Sequence, residues 1–430
     1  MRLSGRISAA IEIIEIIKQH HAPVSLALKN WGASHRFAGS GDRAAIGNLV
    51  YDVLRKQNLH AHLMQSENAR ALVLSVVIRD WGLRVDDLNS DFSSDKFAPE
   101  KINEQEKTLL EVKIDKKNTP KHILANIPQW LETTLEKAFG EILVKEGKAL
   151  ALRPPLDLRV NKLLSTSEKV QKSLERFSPE FTKIIPEALR IKAGEKDART
   201  PNVTADEAYK KGWFEIQDLG SQIVSSLVGA KEGEQVLDYC AGAGGKTLAL
   251  AANMQNKGQI FAYDNDRNRL KPIYDRLKRN GVRNVQTIAP NDEALENLID
   301  KMDKVIIDAP CTGSGTWRRR PDTKWKLSEN LLNERLKQQA KILQEAAKYV
   351  KKGGQLTYIT CSILPAENIE QIEKFLKDNK EFTALPSDSI WQKKFGSNSV
   401  ARPYFDKYGL TLTPASCGTD GFYISIMQRK

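Results

Sequence analysis

Two cysteines stand where thiols can do chemistry. Cys311, in KVIIDAPCTGSG, and Cys361, in QLTYITCS, each follow a short apolar run of the kind that forms a buried strand. A lone cysteine at a strand end is usually a small buried hydrophobe. Two of them, each beside small or hydroxylic residues at what would be one edge of one sheet, argue for more than packing. Asp308 shares the Cys311 segment and adds a carboxylate to the same edge.

A glycine-rich turn lies upstream. VLDYCAGAGGKTLALA places Gly242, Gly244 and Gly245 after a strand and before a helix, which permits close approach of the backbone to a ligand. A phosphate-binding Walker loop needs Gly or Ala where Cys240 stands, and a dinucleotide fingerprint needs a third glycine where Thr247 stands. A nucleoside-binding turn of the methyltransferase kind remains. Asp264 ends the next strand about 20 residues on, where a carboxylate can accept from ribose hydroxyls. Its other reading is a helix N-cap, a role the neighbouring Asp266 can also fill. Asp292 would follow the third strand in the same way, although APND is also an ordinary turn.

All six histidines fall in the first third of the chain, ending at His122. Proton transfers in the later part therefore rest on carboxylates, thiols, lysine or water, and a Ser-His-Asp hydrolase confined to that part is excluded. The four cysteines, at 240, 311, 361 and 417, contain no Cys-x-x-Cys pair. Neither a zinc knuckle nor a disulfide framework is expected, and no metal site. The 66 Lys and Arg against 54 Asp and Glu, net +12, favour an anionic partner such as nucleic acid; a merely solvated basic surface is the plainer reading. No apolar run reaches the roughly 20 residues a bilayer needs, and Glu12 and Glu15 interrupt the early isoleucine-rich stretch. A soluble cytoplasmic protein is expected, with no membrane partner.

The elements that must position these residues are legible as periodicities. Ile7, Ile11, Ile14 and Ile17 form one stripe of an amphipathic helix, and Ile46, Leu49, Val50, Val53 and Leu54 a second. Ala69 to Trp81 is apolar almost all round, as the central helix of a bundle would be, and Gly82 ends it. The polar stretch that follows reads as a linker. IPQWLETTLEKAF, LDLRV and SEKVQKSLERF then suggest a small α+β unit, either an RNA platform or a packing module. From about residue 215, QVLDY, QIFAYD, NVQTIA, KVIIDAP and QLTYITC alternate with helical segments, which implies a parallel sheet with its ligand at the carboxyl ends of the strands. LTLT and GFYISIM alternate as an antiparallel hairpin would. The run from Trp317 to Lys326 mixes cations with aromatics and is either a grip for phosphates and bases or a solvated basic loop.

DYCAGAGGKT, AYDNDRNRL, IDAPCTGSGTWRRRPD, TYITCS and TDGFYISIMQRK resemble the successive motifs of the RsmB/Sun (NOL/NOP/Sun) family of RNA cytosine-5 methyltransferases. PQWL, LDLRVN and WFEIQDLGSQ are similar to the segment that precedes the catalytic domain in that family, and GDRAAIGNLVYDVLR resembles part of a NusB-type helical RNA-binding domain. The resemblance implies an α/β fold: a Rossmann-like class I methyltransferase domain over 216–430, an α+β RNA-binding platform over 121–215, a linker over 96–120 and a NusB-like helical domain over 1–95. It implies S-adenosyl-L-methionine as cofactor, contacted by Cys240, Ala241, Gly242, Ala243, Gly244, Gly245, Lys246, Asp264, Asp292 and Asp308. Cys361 would be the nucleophile and Cys311 would assist release. The family usually has Ala-Pro before the paired glycines; here Gly242-Ala243 stands there, and a looser loop with an intact cofactor site is expected.

The chemistry explains the thiol. Carbon 5 of cytosine is too poor a nucleophile to attack a methyl group until a thiolate adds to carbon 6. A free cysteine titrates near pH 8.5, so cations such as Lys246 would help to form the thiolate, and a carboxylic acid such as Asp308 would absorb charge on the ring. The implied partner is structured RNA, with the NusB-like beginning favouring ribosomal RNA over transfer RNA, and no DNA. A catalytically silent ribosome-assembly factor is the non-enzymatic alternative, against which Cys311 and Cys361 both speak. An amino-group methyltransferase would need a polar-Pro-Pro-aromatic loop, where this chain has Asp308-Ala309-Pro310-Cys311.

Overall fold

The isoleucine-rich stretch folds as the expected helix, although Ile11 of the stripe is only half-buried and Ile13 joins the core. In the computed structural model, which describes residues 1–290, 293–397 and 399–430, the helix Leu3–His20 buries Ile7, Ile13, Ile14 and Ile17. Ala69–Arg79 is enclosed by its neighbours, with Leu72, Val73, Leu74, Val76 and Val77 all buried. The chain divides into two units: 1–153 with 193–201 and 317–326, and 154–192 with 202–316 and 327–430.

These boundaries differ from those expected. The stretch 96–120, read as a linker, carries the helix Glu104–Glu111, which buries Leu110 and is preceded by the buried Ile102. An N-terminal capping box starts it: Asn103 accepts from the Glu106 amide at 2.8 Å, and Glu106 accepts from the Asn103 amide at 3.1 Å. Residues 121–153 fold with the helical unit and not with a platform. Asn126 and Ile127 hold the Gln57–Met64 helix, Asn126 accepting from the Leu59 amide at 3.1 Å and the Ile127 carbonyl from Asn58 at 2.8 Å.

Every strand among the described residues lies in the second unit. β1 (Leu156–Val160), β2 (Glu180–Phe181), β3 (Ala188–Ile191) and β4 (Phe214–Ile216) form an antiparallel sheet in the order β2-β3-β1-β4. β5 (Gln235–Asp238), β6 (Gln259–Tyr263), β7 (Val285–Ile288), β8 (Met302–Asp308), β9 (Val350–Thr360), β10 (Phe382–Ala384), β11 (Tyr404–Phe405), β12 (Leu410–Leu412) and β13 (Phe422–Arg429) build the large sheet. Its order is β11-β12-β13-β9-β8-β5-β6-β7, with β10 paired to β13. β7, β6, β5, β8 and β9 run parallel, and β13 lies antiparallel between β9 and β12. The winding reverses between β5 and β8, and ligands of such sheets bind outside the strand ends at that point.

The small sheet is not a separate domain ending at residue 215. Glu215 on β4 is buried, and its carboxylate accepts from Arg276, Arg279 and Asn280 at the end of the helix Ile273–Arg279, which flanks the large sheet. Asn161, just after β1, donates to the carbonyls of Gly212 and Asn280, each at 2.9 Å. Separating the sheets would strand a buried carboxylate. Among the described residues, no helix is long and apolar enough to cross a membrane.

Candidate active site

β5 delivers Asp238 to the switch point, and the turn from Tyr239 to Gly244 leads into the helix Gly245–Asn253. Gly242 and Gly244 adopt φ of +49° and +80°, a region that favours glycine. At Gly244 space decides as well, because a Cβ there would lie 2.4 Å from Ile273. The looser loop expected from Gly242-Ala243 is not found. The Gly242 amide donates to Asp264 at 3.0 Å, the Ala241 amide to the Tyr263 carbonyl at 2.9 Å, and Arg276 to the Ala243 carbonyl at 2.7 Å. Hydrogen bonds from the neighbouring strand and helix replace the stiffness a proline would supply.

Asp264 is buried at the end of β6 and also accepts from the Asp266 amide at 3.0 Å. The helix N-cap is Asp266, so Asp264 is not needed for capping. A cavity of about 450 Å³ opens beside it, lined by Tyr239, Cys240, Tyr263, Asn265, Arg269 and Pro310 among others. Cys240 faces chemistry poorly, since burial and nearby carboxylates push its thiol well above the ordinary range. Asp292 lies outside the described residues.

Asp238 itself was not anticipated, although its place at a strand end before the glycine turn was a usable signal. One carboxyl oxygen accepts from Thr247 at 2.7 Å; the other is enclosed without a partner among the described residues. Burial is the main cause that pushes its pKa up to about 7, with Asp308 and Asp264 adding to it. An unfolded aspartate ionises near 3.9. The folded state thus loses stability as pH rises from about 4 to about 7, by up to about 4 kcal/mol. Asp238→Asn is expected to raise the thermal midpoint of the cofactor-free protein near pH 8 and much less near pH 5, as calorimetry at the two pH values would show.

The strand β8 brings Asp308 to Lys246, 2.7 Å away. Lys246 is buried, with its ammonium also over the Phe422 ring. It was expected to help a thiolate, but its charge is engaged by Asp308. The two thiols do meet: Cys311 Sγ lies 3.4 Å from Cys361 Sγ. Cys311 is pushed well above the usual thiol range, first by its hydrogen bond to Cys361 and then by burial and by Glu367. Cys311 is therefore held as a thiol, in a hydrogen bond with Cys361 for which either sulfur can be the donor.

The loops that carry the thiols are laced together. Glu367, fully buried, accepts from the Thr312 amide at 2.8 Å, the Thr312 hydroxyl at 2.6 Å and Gln339 at 2.9 Å. The Gly315 amide donates to the Cys361 carbonyl at 2.9 Å, and Ser314 and Ser362 share a hydrogen bond of 2.9 Å. Glu367 had no mark in the sequence beyond a carboxylate in LPAEN.

The run from Trp317 to Lys326 is not a basic grip. Trp317, Arg318, Asp322 and Lys324 are buried within the helical unit. Lys324 donates to the Arg55 carbonyl at 2.9 Å, Trp325 to the Leu54 carbonyl at 2.7 Å, and Arg55 to the Arg318 carbonyl at 2.8 Å. Burial of the Trp317 indole and packing of the half-buried Trp325 outweigh the exposure its charges suggest.

A doubly wound sheet with a glycine turn, an acid at the next strand end and a cavity beside both at the switch point defines a Rossmann-like S-adenosylmethionine-dependent methyltransferase. Residues 226–428 match the family model described as 16S rRNA methyltransferase RsmB/F. A curated relative from Synechocystis sp., named "Probable ribosomal RNA small subunit methyltransferase B", is 30% identical over 313 residues, covering 71% of this chain and 67% of the relative. The chain belongs to this RsmB/F family of RNA methyltransferases, and spans about two thirds of that relative's length. The structure titled "Crystal Structure of PH0851" superimposes with a TM-score of 0.75 at 27% identity, covering 100% of this chain and 99% of that one. A methyltransferase homolog protein from Pyrococcus horikoshii gives 0.60 at 26% identity, over 74% of this chain and 100% of its own.

Proposed function

We propose that this protein methylates carbon 5 of a cytosine in small-subunit ribosomal RNA, with Cys361 as covalent nucleophile. The observation that carries the reading is the 3.4 Å approach of Cys311 and Cys361, on the loops after β8 and β9, at the ligand-binding edge of the sheet. The residues fit the cofactor: the turn from Cys240 to Lys246 offers a glycine cradle, Asp264 a carboxylate for ribose hydroxyls, and Asp238 an unpaired carboxyl oxygen for a ligand's donor. Asp308 orients Lys246 beside them. Bound S-adenosylmethionine supplies an electrophilic methyl group.

The chain's own residues do the rest. Cys311 donates its S–H to Cys361 and so favours the Cys361 thiolate. That thiolate adds to carbon 6, forming an S–C bond, and the ring electrons move toward carbon 5. Once Cys361 is a thioether it no longer holds the Cys311 proton, so the largest contribution raising the Cys311 thiol disappears. Cys311 then gives its proton to water, takes the proton from carbon 5, and the S–C bond breaks with Cys361 leaving as the thiolate. The helical unit, the small sheet and the net charge of +12 are read as RNA-contacting features, and a ribosomal substrate supports a cytoplasmic location. Bisulfite mapping of small-subunit ribosomal RNA from cells with and without this protein tests the reading: one protected cytosine should lose its protection, and an unchanged map sinks it.

A further inference from the structure

Arg159 on β1 is only 7% exposed, yet its guanidinium makes no hydrogen bond or ion pair among the described residues, and its Nε is enclosed without an acceptor. Burial lowers its pKa to about 10 against the opposing pull of the Glu215 carboxylate, its cross-strand neighbour on β4, so it is still a cation at neutral pH, without a hydrogen-bonded partner. A buried guanidinium is ordinarily matched by a carboxylate or carbonyls, as Arg55 is by Asp52 at 2.9 Å. Arg159 lines a cavity of about 270 Å³ together with Lys162, Glu187, Gln222, Ser225 and Lys394. Lys162 is paired with Glu187 at 3.1 Å, and no ion pair holds Lys394 among the described residues. Gln222 donates to the Gln217 carbonyl at 2.8 Å, and its Oε1 is buried without a donor.

The cavity is separate from the candidate active site. It touches the helix Gly245–Asn253 at Ala249, Ala252 and Asn253, and Asn253 lies about 12 Å along the axis from the glycine turn at 1.5 Å per residue. The basic lining of the cavity, with Arg159 behind it and the exposed Lys394 at its edge, suits a ligand with an anionic group.

We propose that this cavity is a second ligand site that takes a phosphate group, held by the Arg159 guanidinium with Lys394 at its rim. A phosphodiester of the RNA substrate carries such a group, and so does inorganic phosphate. The RNA source rests on the RNA-methyltransferase reading; the anion site does not.

Arg159→Met, which keeps the apolar stem and removes the charge, separates the possibilities. The full-length protein is melted in potassium phosphate and in potassium chloride of equal ionic strength, and binding of unmodified small-subunit ribosomal RNA is measured across a salt series. Phosphate should raise the wild-type midpoint above its own value in chloride and leave the variant at its own chloride value. If RNA fills the site, the variant also binds it roughly tenfold more weakly, with a log affinity against log salt slope smaller by about 0.7. A phosphate effect with unaltered RNA binding assigns the site to the free anion. No phosphate effect on wild type, together with unaltered RNA affinity and slope in the variant, overturns the proposal. Should Arg159→Met fail to fold, Lys394→Gln on the exposed rim is expected to shift the same readouts in the same directions by less. Failure here would leave the bisulfite map intact, whereas failure of the methyltransferase reading would not.

Discussion

Cys361→Ala is expected to lower methyl transfer to ribosomal RNA by on the order of 10³-fold or more, while binding of S-adenosylmethionine is retained. The asymmetry follows from geometry. Cys361 follows β9 and touches Cys311, Ser314 and Gly315 through its loop, whereas the cofactor residues lie on the glycine turn and at the end of β6. Removing the thiol deletes the group that activates carbon 5 and leaves the cradle unaltered. Single-turnover transfer from labelled cofactor, with calorimetric titration of the cofactor, reads both quantities. Wild-type turnover in the variant would refute the nucleophile, and lost cofactor affinity would mean that the thiol supports the turn instead.

Cys311→Ala should behave in the opposite sense toward the covalent state. Addition at carbon 6 still proceeds, although more slowly without the S–H donor, but the carbon 5 proton loses its acceptor and the adduct persists. Turnover is expected to fall about 10²-fold or more, with a slow-migrating protein–RNA species on a denaturing gel. The Cys311→Ala, Cys361→Ala double variant should show no such species. A single variant with reduced turnover and no adduct would move Cys311 from release to the first step.

These outcomes bear on how much of the site was legible in the sequence. The strand ends were readable because apolar runs stop at Asp238, Asp264, Asp308 and Cys361, and a parallel sheet presents its strand ends at one edge. What no pattern of periods states is that β8 and β9 are neighbours, the condition that brings two cysteines 50 residues apart into contact. Glu367 was unreadable for the same reason: its value lies in Thr312 and Gln339, which reach it only after folding. The capping box at Asn103 and Glu106 was present in plain spelling, but the polar composition around it outweighed the signal. The Trp317 to Lys326 run misled in the other direction. Two of its cations, Lys324 and Lys326, read as solvated because the carbonyls that accept from them, at Arg55 and Ala22, belong to another part of the chain.

That last segment constrains the order in which the protein can be made. The helical unit includes residues 317–326 as well as 1–153, and its core encloses Trp317 and Lys324. A ribosome that has released residue 153 has not yet supplied the piece that closes that core. At roughly 5 to 20 residues per second the missing piece emerges about 10 to 35 seconds later, after β1 to β8 have been synthesised. During that interval the nascent helical layer carries an open apolar seam, and a chain shortened before residue 317 would retain it permanently.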